Sequence, residues 1–174
     1  RGLDYALTAG IAPDIAVGDF DSAKSPVPSG VECIRVSPIK DDTDTVLAAN
    51  TAIERGCNEL RFFCALGGRL DHTFANIQML YDLIGRGICG KLYGNGECVY
   101  LLHDDAAEIP RYDGYLSVFS YGESALVSES GVKYPLDCHR LTNSFPLGVS
   151  NEITAQTARI TAHEGTLLIM EVRE

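Results

Sequence analysis

The sequence has 174 residues and a formal net charge of −10, because 24 Asp and Glu outnumber 14 Lys and Arg. A nucleic-acid-binding surface needs a basic patch, so this balance argues against nucleic acid as a partner. No apolar run approaches the roughly 20 residues that cross a bilayer, and the first residues lack a signal-peptide pattern. We therefore expect a cytoplasmic protein that does not bind membranes.

The first part of the chain alternates between helical and strand patterns. Apolar residues before Gly10 predict the end of a helix, and a second helix is predicted from an N-cap at Asp42 or Thr43 to Gly56. A third helix is predicted from Asp71, with apolar residues spaced by three and four. Strands are predicted at residues 15–17, 33–38, 60–66, 90–93 and 98–102. This order predicts a mainly parallel, Rossmann-like α/β domain over residues 1–105.

One of these strands is predicted to be central in its sheet. Residues 60–66, LRFFCAL, form a nearly continuous apolar run of strand length. Such runs are typical of strands that are covered on both faces. We therefore expect this strand inside the sheet, with the Cys64 thiol buried.

The pattern changes near residue 105. Short alternating or apolar runs follow, separated by Gly, Pro, Asp and Asn, and none of them has helical periodicity. They are YLSVFS (115–120), SALVSE (124–129), AQTARITA (155–162) and TLLIMEV (166–172). We expect residues 106–174 to form a small all-β sandwich domain.

The stretch VGDFDSAK (17–24) places two aspartates one residue apart after a short strand. In an extended strand, Asp19 and Asp21 would point to the same face. Two carboxylates about 5 Å apart repel by roughly 3 kcal/mol at an effective dielectric near 20. A bound cation would offset this repulsion, so we expect the two side chains to hold a metal ion.

Two further polar segments, KDDTD (40–44) and GGRLDH (67–72), also follow predicted strands. With GDFDS (18–22), they would lie at the carboxyl edge of the sheet, where open α/β folds bind their ligands. Carboxylate oxygens suit Mg²⁺ that is bound together with substrate phosphates. Arg69 follows glycines at a helix start and is suited to a two-point bond with phosphate oxygens, and Lys40 adds a point charge.

Each segment also has a purely structural interpretation. A D-x-D sequence is often only a turn, and KDDTD is often the solvated start of a capped helix. GGR followed by Asp is also typical of a tight turn with an N-cap. Because all three segments are predicted at the edge of one sheet, a functional site is favoured over three unrelated turns.

Several blocks in this order and spacing resemble the signature blocks of the thiamine pyrophosphokinase family. They are PDIAVGDFDS (13–22), KDDTDTVLAA (40–49), ALGGRLDHTFANI (65–77), GVKYPL (131–136) and LGVSNE (147–152). The family normally opens with a strand and an Asp-Gly-Gly motif ahead of the helix with which this chain begins. We therefore expect that the first strand of the fold is missing from this chain.

The resemblance implies transfer of the diphosphate of ATP to the hydroxyl of thiamine, giving thiamine diphosphate and AMP. It implies an ATP- and Mg²⁺-binding domain at residues 1–105 and a thiamine-binding domain at 106–174. It also implies a homodimer with its sites between subunits. The implied catalytic residues are Asp19, Asp21, Asp44, Asp71 and Arg69, and the four aspartates are the implied Mg²⁺ ligands.

The resemblance further implies contacts to both substrates. The implied ATP phosphate-binding residues are Ser22, Lys40, Thr43, Gly67, Gly68 and Arg69. Ser150 and Asn151 resemble the family segment that recognises the aminopyrimidine ring of thiamine. An ordinary polar β-turn is the alternative interpretation of these two residues.

Two other functions compete with this one. A haloacid-dehalogenase-like phosphatase also uses D-x-D after a strand, but it needs a distant Lys and a later acidic pair. Lys40 is too near the first acids, and YGNGECV (93–99) offers one acid only. A non-catalytic thiamine- or nucleotide-binding protein is the second alternative. The retained carboxylates argue against it, because binding alone does not require so many uncompensated acids.

Overall fold

The computed structural model describes residues 2–21, 23–36 and 43–174. The chain divides into two compact units, unit 1 (residues 1–58) and unit 2 (residues 59–174). Unit 1 contains α1 (Gly2–Thr8), β1 (Ile15–Gly18), β2 (Glu32–Arg35) and α2 (Asp44–Glu54). Unit 2 contains β3 (Glu59–Phe63), α3 (Leu70–Gly85), β4 (Cys89–Tyr93), β5 (Glu97–His103), β6 (Ala106–Pro110), β7 (Gly114–Ser120), β8 (Ser124–Ser130), β9 (Leu136–Thr142), β10 (Thr157–Glu164) and β11 (Thr166–Arg173).

Unit 1 combines a parallel strand pair with a helix. β1 and β2 pair in parallel, and α2 packs on β1. The Thr43 hydroxyl accepts a hydrogen bond from the backbone N–H of Val46 at 3.3 Å. It thereby satisfies one of the backbone donors that a helix start leaves without a partner. The predicted N-cap at Thr43 is confirmed.

Unit 2 is organised around two sheets. The five-stranded sheet has the order β3-β4-β5-β11-β7, in which β3 and β4 are parallel and the other neighbours antiparallel. The four-stranded sheet, β6-β10-β8-β9, is antiparallel throughout. Side chains from both sheets form one apolar core, as expected when each sheet has one covered face. Its fully buried members include Leu116, Val118, Ala125, Val127, Ala158, Ile160, Leu167 and Ile169.

The helix α3 packs against β4 and β5 of the five-stranded sheet. Its side chains Leu80 and Leu83 are almost completely buried. At Gly90 on β4, a Cβ atom would lie 2.8 Å from Cδ2 of Leu80 and 2.9 Å from Cδ1 of Leu83. A side chain at this position would therefore force both leucine side chains to shift.

The predicted mixed α/β fold is confirmed, and helices α1, α2 and α3 all lie where the sequence predicts them. The finer description of a mainly parallel, Rossmann-like first domain stays a prediction, because the described sheet of unit 1 has two strands. The boundary near residue 105 also stays a prediction. The five-stranded sheet continues past that residue, since β11 and β7 join β5. No helix in the described ranges is long and apolar enough to cross a membrane.

The prediction of a central strand at 60–66 is wrong. Within the described residues, β3 lies at the edge of its sheet and ends at Phe63, whose side chain is 70% exposed. Cys64 is exposed rather than buried, and its φ of 59° is incompatible with a continuing strand. An apolar run identifies a strand, but it does not show how many neighbours that strand has.

Candidate functional site

The first two predicted acids lie in a turn at the carboxyl end of β1. The strand ends at Gly18, and Phe20 has a φ of 63°, in the left-handed region. The backbone N–H of Asp21 donates to Oδ1 of Asp19 at 3.0 Å, which is the local bond that aspartate makes in turns. Asp19 and Asp21 therefore do not lie in an extended strand with their side chains on one face. A turn holds the two acids together instead.

A third predicted acid lies beside this turn. A Cβ atom at Gly18 would lie 3.4 Å from Oδ2 and 3.7 Å from Oδ1 of Asp44. Gly18 also has a φ of 152°, which other residues rarely adopt. Asp44 is in the first turn of α2, where the helix dipole favours a negative charge. The structure thus brings Asp44 to the turn that contains Asp19 and Asp21.

The donor set of this acidic turn fits a hard divalent cation. Mg²⁺ prefers carboxylate oxygens and is usually held by one or two of them, with substrate phosphates and water completing its shell. Within the described ranges, no three His, Cys, Asp or Glu side chains converge closely enough to form a metal site by themselves. The Mg²⁺ site therefore stays a prediction that rests on the chemistry of Asp19, Asp21 and Asp44.

The second predicted group is the glycine loop before α3. Gly67 and Gly68 have φ values of 82° and 69°, and a Cβ at either would meet no other atom within 4 Å. Backbone conformation, rather than space, therefore requires glycine here. The loop leads to Arg69, which occupies the N-cap of α3 without a side-chain capping bond. At this helix start the backbone N–H of His72 donates to Oδ1 of Asp71 at 3.0 Å and that of Thr73 to the Arg69 carbonyl at 3.1 Å, so anion binding here stays a prediction.

The guanidinium of Arg69 is paired with Asp71. Its Nε donates to Oδ1 of Asp71 at 3.1 Å, and its Nη2 donates to Oδ2. This two-point bond lowers the pKa of Asp71 to about 2, so the carboxylate is ionised at neutral pH. Both side chains are largely exposed. α3 begins at Leu70, one residue earlier than predicted, so Asp71 lies in the first helical turn.

Two polar residues without a predicted role hold this loop in place. Nδ2 of the buried Asn76 donates to the carbonyl of Ala65 at 2.8 Å. The Thr73 hydroxyl lies 3.4 Å from the carbonyls of both Gly67 and Arg69. The helical period of α3 could have identified Asn76, because it places an amide on the apolar face, where a buried polar group needs a partner.

Ser150 and Asn151 lie against β7. Ser150 is exposed, has a φ of 58°, and donates its backbone N–H to Oγ of Ser117 at 3.0 Å. Asn151 is only 5% exposed. Its backbone exchanges two hydrogen bonds with Leu116, at 2.8 and 2.9 Å. The structure therefore fixes the backbone of this segment and leaves Ser150 at the surface.

The side chain of Asn151 is fully engaged within the protein. Its Oδ1 accepts from the backbone N–H groups of Tyr134 and Glu152, both at 3.0 Å. Its Nδ2 donates to the Tyr134 carbonyl at 2.9 Å and to Oε2 of Glu129 at 3.2 Å. These four bonds use the whole hydrogen-bonding capacity of an asparagine side chain. The structure thus supports a structural role for this side chain, and a direct ligand contact stays a prediction.

Glu129 is a buried acid in a predicted strand, and the sequence predicts no further role for it. Glu129 is 1% exposed, and within the described ranges no group donates a hydrogen bond to its Oε1. Burial raises the pKa of Glu129 to about 7, and the bond from Asn151 opposes part of that rise. The alternation of β8, in which Ala125, Val127 and Glu129 are buried, could have revealed an acid on the core face.

Replacing Glu129 by Gln is expected to remove a pH dependence of stability. An acid whose pKa is raised by folding stabilises the folded state while it is protonated. For Glu129 this contribution is complete at pH values below the pKa of the unfolded chain, near 4.5, and it is lost as the pH rises through the folded-state pKa of about 7. The shift corresponds to about 3 kcal/mol. Urea unfolding between about pH 5 and pH 8 should show the wild type losing stability relative to Glu129→Gln. Parallel pH curves for the two proteins would contradict the raised pKa.

Two predicted phosphate-binding residues, Ser22 and Lys40, lie outside the described residues, as do Asp41 and Asp42. Thr43 is described, and its hydroxyl caps α2. The predicted residues thus form an acidic turn in unit 1, a glycine loop with a paired arginine in unit 2, and a Ser–Asn segment in unit 2.

Two family models cover most of the chain. The model described as thiamin pyrophosphokinase, catalytic domain, matches residues 1–89. The model described as thiamin pyrophosphokinase, vitamin B1 binding domain, matches residues 105–167. The first contains the acidic turn and the glycine loop, and the second contains Ser150 and Asn151.

Named relatives and solved structures agree with these models. The thiamine pyrophosphokinase of Bacillus subtilis (strain 168) is 28% identical over 180 residues, covering 98% of this chain and 83% of that protein. Its crystal structure matches with a TM-score of 0.88 at 27% identity, over 97% of this chain and 82% of that one. A thiamin pyrophosphokinase family protein from Enterococcus faecalis matches with a TM-score of 0.87 at 25% identity, over 100% and 86% of the two chains. The chain belongs to the thiamin pyrophosphokinase family.

Proposed function

We propose that this protein transfers the diphosphate of ATP to the hydroxyl of thiamine, forming thiamine diphosphate and AMP. Membership of the thiamin pyrophosphokinase family supports this activity. The observation that carries the proposal is the acidic turn, beside which Oδ2 of Asp44 lies 3.4 Å from the place that a Cβ atom at Gly18 would take. Neither alternative function is favoured by the comparisons, since every named relative cited above is a thiamine pyrophosphokinase or a member of that family.

In unit 1, Asp19, Asp21 and Asp44 are the proposed ligands of Mg²⁺. When bound, this ion supplies positive charge that offsets the charge of the phosphate oxygens. The hydrogen bond from the Asp21 N–H fixes the Asp19 carboxylate, and the start of α2 orients Asp44. Ser22, Lys40 and Thr43 are proposed to contribute polar and cationic groups to phosphate binding.

In unit 2, the glycine loop is proposed to bind phosphate oxygens of ATP. Gly67 and Gly68 allow the backbone to approach an anion without side chains in the way. Arg69 adds a planar guanidinium whose orientation is set by Asp71. Phosphoryl transfer depends mainly on positioning and on charge stabilisation, so a pre-oriented arginine contributes directly to the rate. Asp71, which the family resemblance implies as a fourth Mg²⁺ ligand, is also proposed as a catalytic acid.

The reaction requires a proton acceptor as well as phosphate binding. The thiamine hydroxyl oxygen attacks the β-phosphorus, the bond from that phosphorus to the oxygen of the α-phosphate breaks, and AMP leaves. One of the aspartates Asp19, Asp21, Asp44 and Asp71 is proposed to take the hydroxyl proton. Residues 106–174, including Ser150 and Asn151, are proposed to bind thiamine. The Rossmann-like character of residues 1–105 and a cytoplasmic location remain predictions.

The activity is tested by incubating the purified protein with ATP, Mg²⁺ and thiamine. We expect AMP to form only when thiamine is present, together with an equal amount of thiamine diphosphate. A phosphatase would release inorganic phosphate from phosphate esters without thiamine, and a non-catalytic binding protein would release no AMP. Either of those results would contradict the proposed function.

The protein is expected to act as a homodimer with its sites between subunits. Light scattering at the concentrations used for the assay should give twice the mass of one chain. Dilution until the dimer dissociates should lower the activity per chain, because each site would then lack residues from the partner subunit. Full activity of a monomer would contradict a shared site.

A further inference from the structure

We propose that Cys138 is a site of reversible covalent modification, at which its thiol exchanges with small disulfides while the imidazole of His163 accepts the thiol proton. The thiol belongs to a cluster of three side chains on neighbouring strands, the Ser–Cys–His cluster. Its members are Ser128 on β8, Cys138 on β9 and His163 on β10. None of them belongs to the acidic turn, the glycine loop or the Ser–Asn segment. Modification at Cys138 is therefore independent of the proposed transfer reaction.

Two β-bulges bring the outer members of the cluster to its central serine. In the four-stranded sheet, β8 lies between β10 and β9. The register of β8 with β9 shifts at Ser128, which faces two residues of β9, Asp137 and Cys138. The register of β8 with β10 shifts at His163. A bulge redirects a side chain, and bulges are over-represented next to active sites. Both of these bulges place a chemically reactive side chain beside the same hydroxyl.

The backbone at Cys138 is fixed by the serine. Its φ of 41° lies in the left-handed region, which is uncommon for a residue other than glycine. Its backbone N–H donates to Oγ of Ser128 at 2.9 Å. The hydroxyl thus satisfies a backbone donor at a point where the bulge interrupts the ladder. Ser128 therefore holds in place the residue that carries the thiol.

The imidazole of His163 lies within reach of the thiol and the hydroxyl. Sγ of Cys138 is 3.9 Å from Nε2 of His163 and 3.8 Å from Oγ of Ser128. The same Nε2 is 2.8 Å from Oγ of Ser128. The thiolate is the nucleophilic form of cysteine, and a neighbouring histidine promotes it by taking the thiol proton. The cluster therefore has the parts of an activated thiol.

The cluster is open to reagents in solution. Cys138 and His163 are both exposed. Four other cysteines are also exposed, but in the part of the chain that the structure describes only the sulfur of Cys138 contacts an imidazole. Cysteine and histidine also bind zinc, but a structural zinc site takes four ligands. Within the described ranges no third His, Cys, Asp or Glu joins this pair, which favours a reactive thiol over a metal ligand.

The exchange needs only a small disulfide as its second reactant. The sulfur of Cys138 attacks one sulfur of that disulfide, a new S–S bond forms, and the original S–S bond breaks. The thiol proton passes to Nε2 of His163 and from there to the departing thiolate, which leaves as a thiol. The product is a mixed disulfide at Cys138, and an excess of free thiol reverses the reaction.

Oxidised glutathione is the probe that tests the site, with peptide mass spectrometry following each cysteine of the folded chain at constant pH. We expect Cys138 to form the mixed disulfide at least about tenfold faster than the exposed Cys33 and Cys57. Dithiothreitol should restore the free thiol. In urea the three rates should converge to within about twofold, because the cluster is then dispersed. Equal rates in the folded protein would overturn the proposal, and so would a difference that persists in urea.

Replacing His163 by Gln tests the role of the imidazole. Glutamine keeps a polar group for the Ser128 hydroxyl but does not accept a proton. We expect the rate at Cys138 to fall about tenfold while the rate at Cys57 stays unchanged. His139→Gln, next to Cys138 in the chain but outside the cluster, is the matched control and should change the rate by less than about twofold.

An unchanged rate at Cys138 in His163→Gln, or equal losses in His163→Gln and His139→Gln, would overturn the proposal. His163 is at the surface, so its variant is expected to fold, and circular dichroism checks this. Should it not fold, the comparison of Cys138 with Cys33 and Cys57 in the wild-type protein, folded and in urea, decides alone.

Discussion

Replacing Asp19, Asp21 or Asp44 by alanine is expected to lower kcat/KM by at least about 1,000-fold, which is about 4 kcal/mol of transition-state stabilisation. Each carboxylate is proposed to hold Mg²⁺ against the phosphates, and each lies in or beside the acidic turn at the end of β1. Removing one ligand removes charge compensation where negative charge is concentrated. The measurement is initial AMP formation at saturating and at limiting Mg²⁺.

The matched control for this series is Asp14→Ala. Asp14 is an exposed aspartate in the same unit, immediately before β1, and it is not a proposed ligand. We expect its variant to stay close to wild type in both activity and Mg²⁺ dependence. Circular dichroism must show that all the variants remain folded. A folded Asp19→Ala, Asp21→Ala or Asp44→Ala protein with normal turnover would contradict the metal-binding role of that residue.

Replacing Arg69 by lysine is expected to lower kcat/KM by about 100-fold, even though the positive charge is kept. Lysine has no planar fork, so it makes neither the two-point bond to Asp71 nor a two-point contact with phosphate. If Arg69 acts on the transferring group, kcat should fall more than KM for ATP rises. Steady-state kinetics with varied ATP at saturating thiamine measures both.

Arg61→Lys is the matched control for this substitution. Arg61 is also exposed and also bonds an acid two residues away, through Nε and Nη2 to Oε1 of Glu59. It lies on β3, outside the glycine loop. Replacing the guanidinium of Arg61 by an ammonium group should leave kcat and KM close to the wild-type values. Equal effects at both positions would show that surface charge, rather than a specific phosphate contact at Arg69, explains the loss.

Much of the local structure follows from the sequence, because caps and periodicity are local properties. Thr43 has the side chain of an N-cap and becomes one. The spacing of Phe74, Ile77, Leu80 and Ile84 predicts an apolar face of α3, on which Ile77 and Leu80 are buried while Phe74 is 57% exposed. The apolar run that forms β3 was also identified as a strand. Its position at the edge of the sheet depends on pairing with distant strands, which a local pattern does not encode.

The candidate site shows the same limit in its hydrogen bonds. Asp19 and Asp21 were predicted from their spacing, but the turn that joins them depends on the left-handed backbone at Phe20. The family resemblance predicts that Asn151 contacts the aminopyrimidine ring of thiamine, yet its four side-chain hydrogen bonds are all made with other groups of the protein. Those partners are up to 22 residues away in sequence. A motif therefore identifies important positions without deciding which atoms face the ligand.

The central claim, diphosphate transfer from ATP to thiamine, is tested most directly with ATP labelled at the β-phosphorus. We expect the label to move into thiamine diphosphate and unlabelled AMP to form in equal amount. Transfer of only the γ-phosphate would leave the label in ADP, and simple hydrolysis would leave it in ADP or inorganic phosphates with thiamine unchanged. Label in thiamine diphosphate would support diphosphate transfer, and label confined to ADP or inorganic phosphates would contradict it.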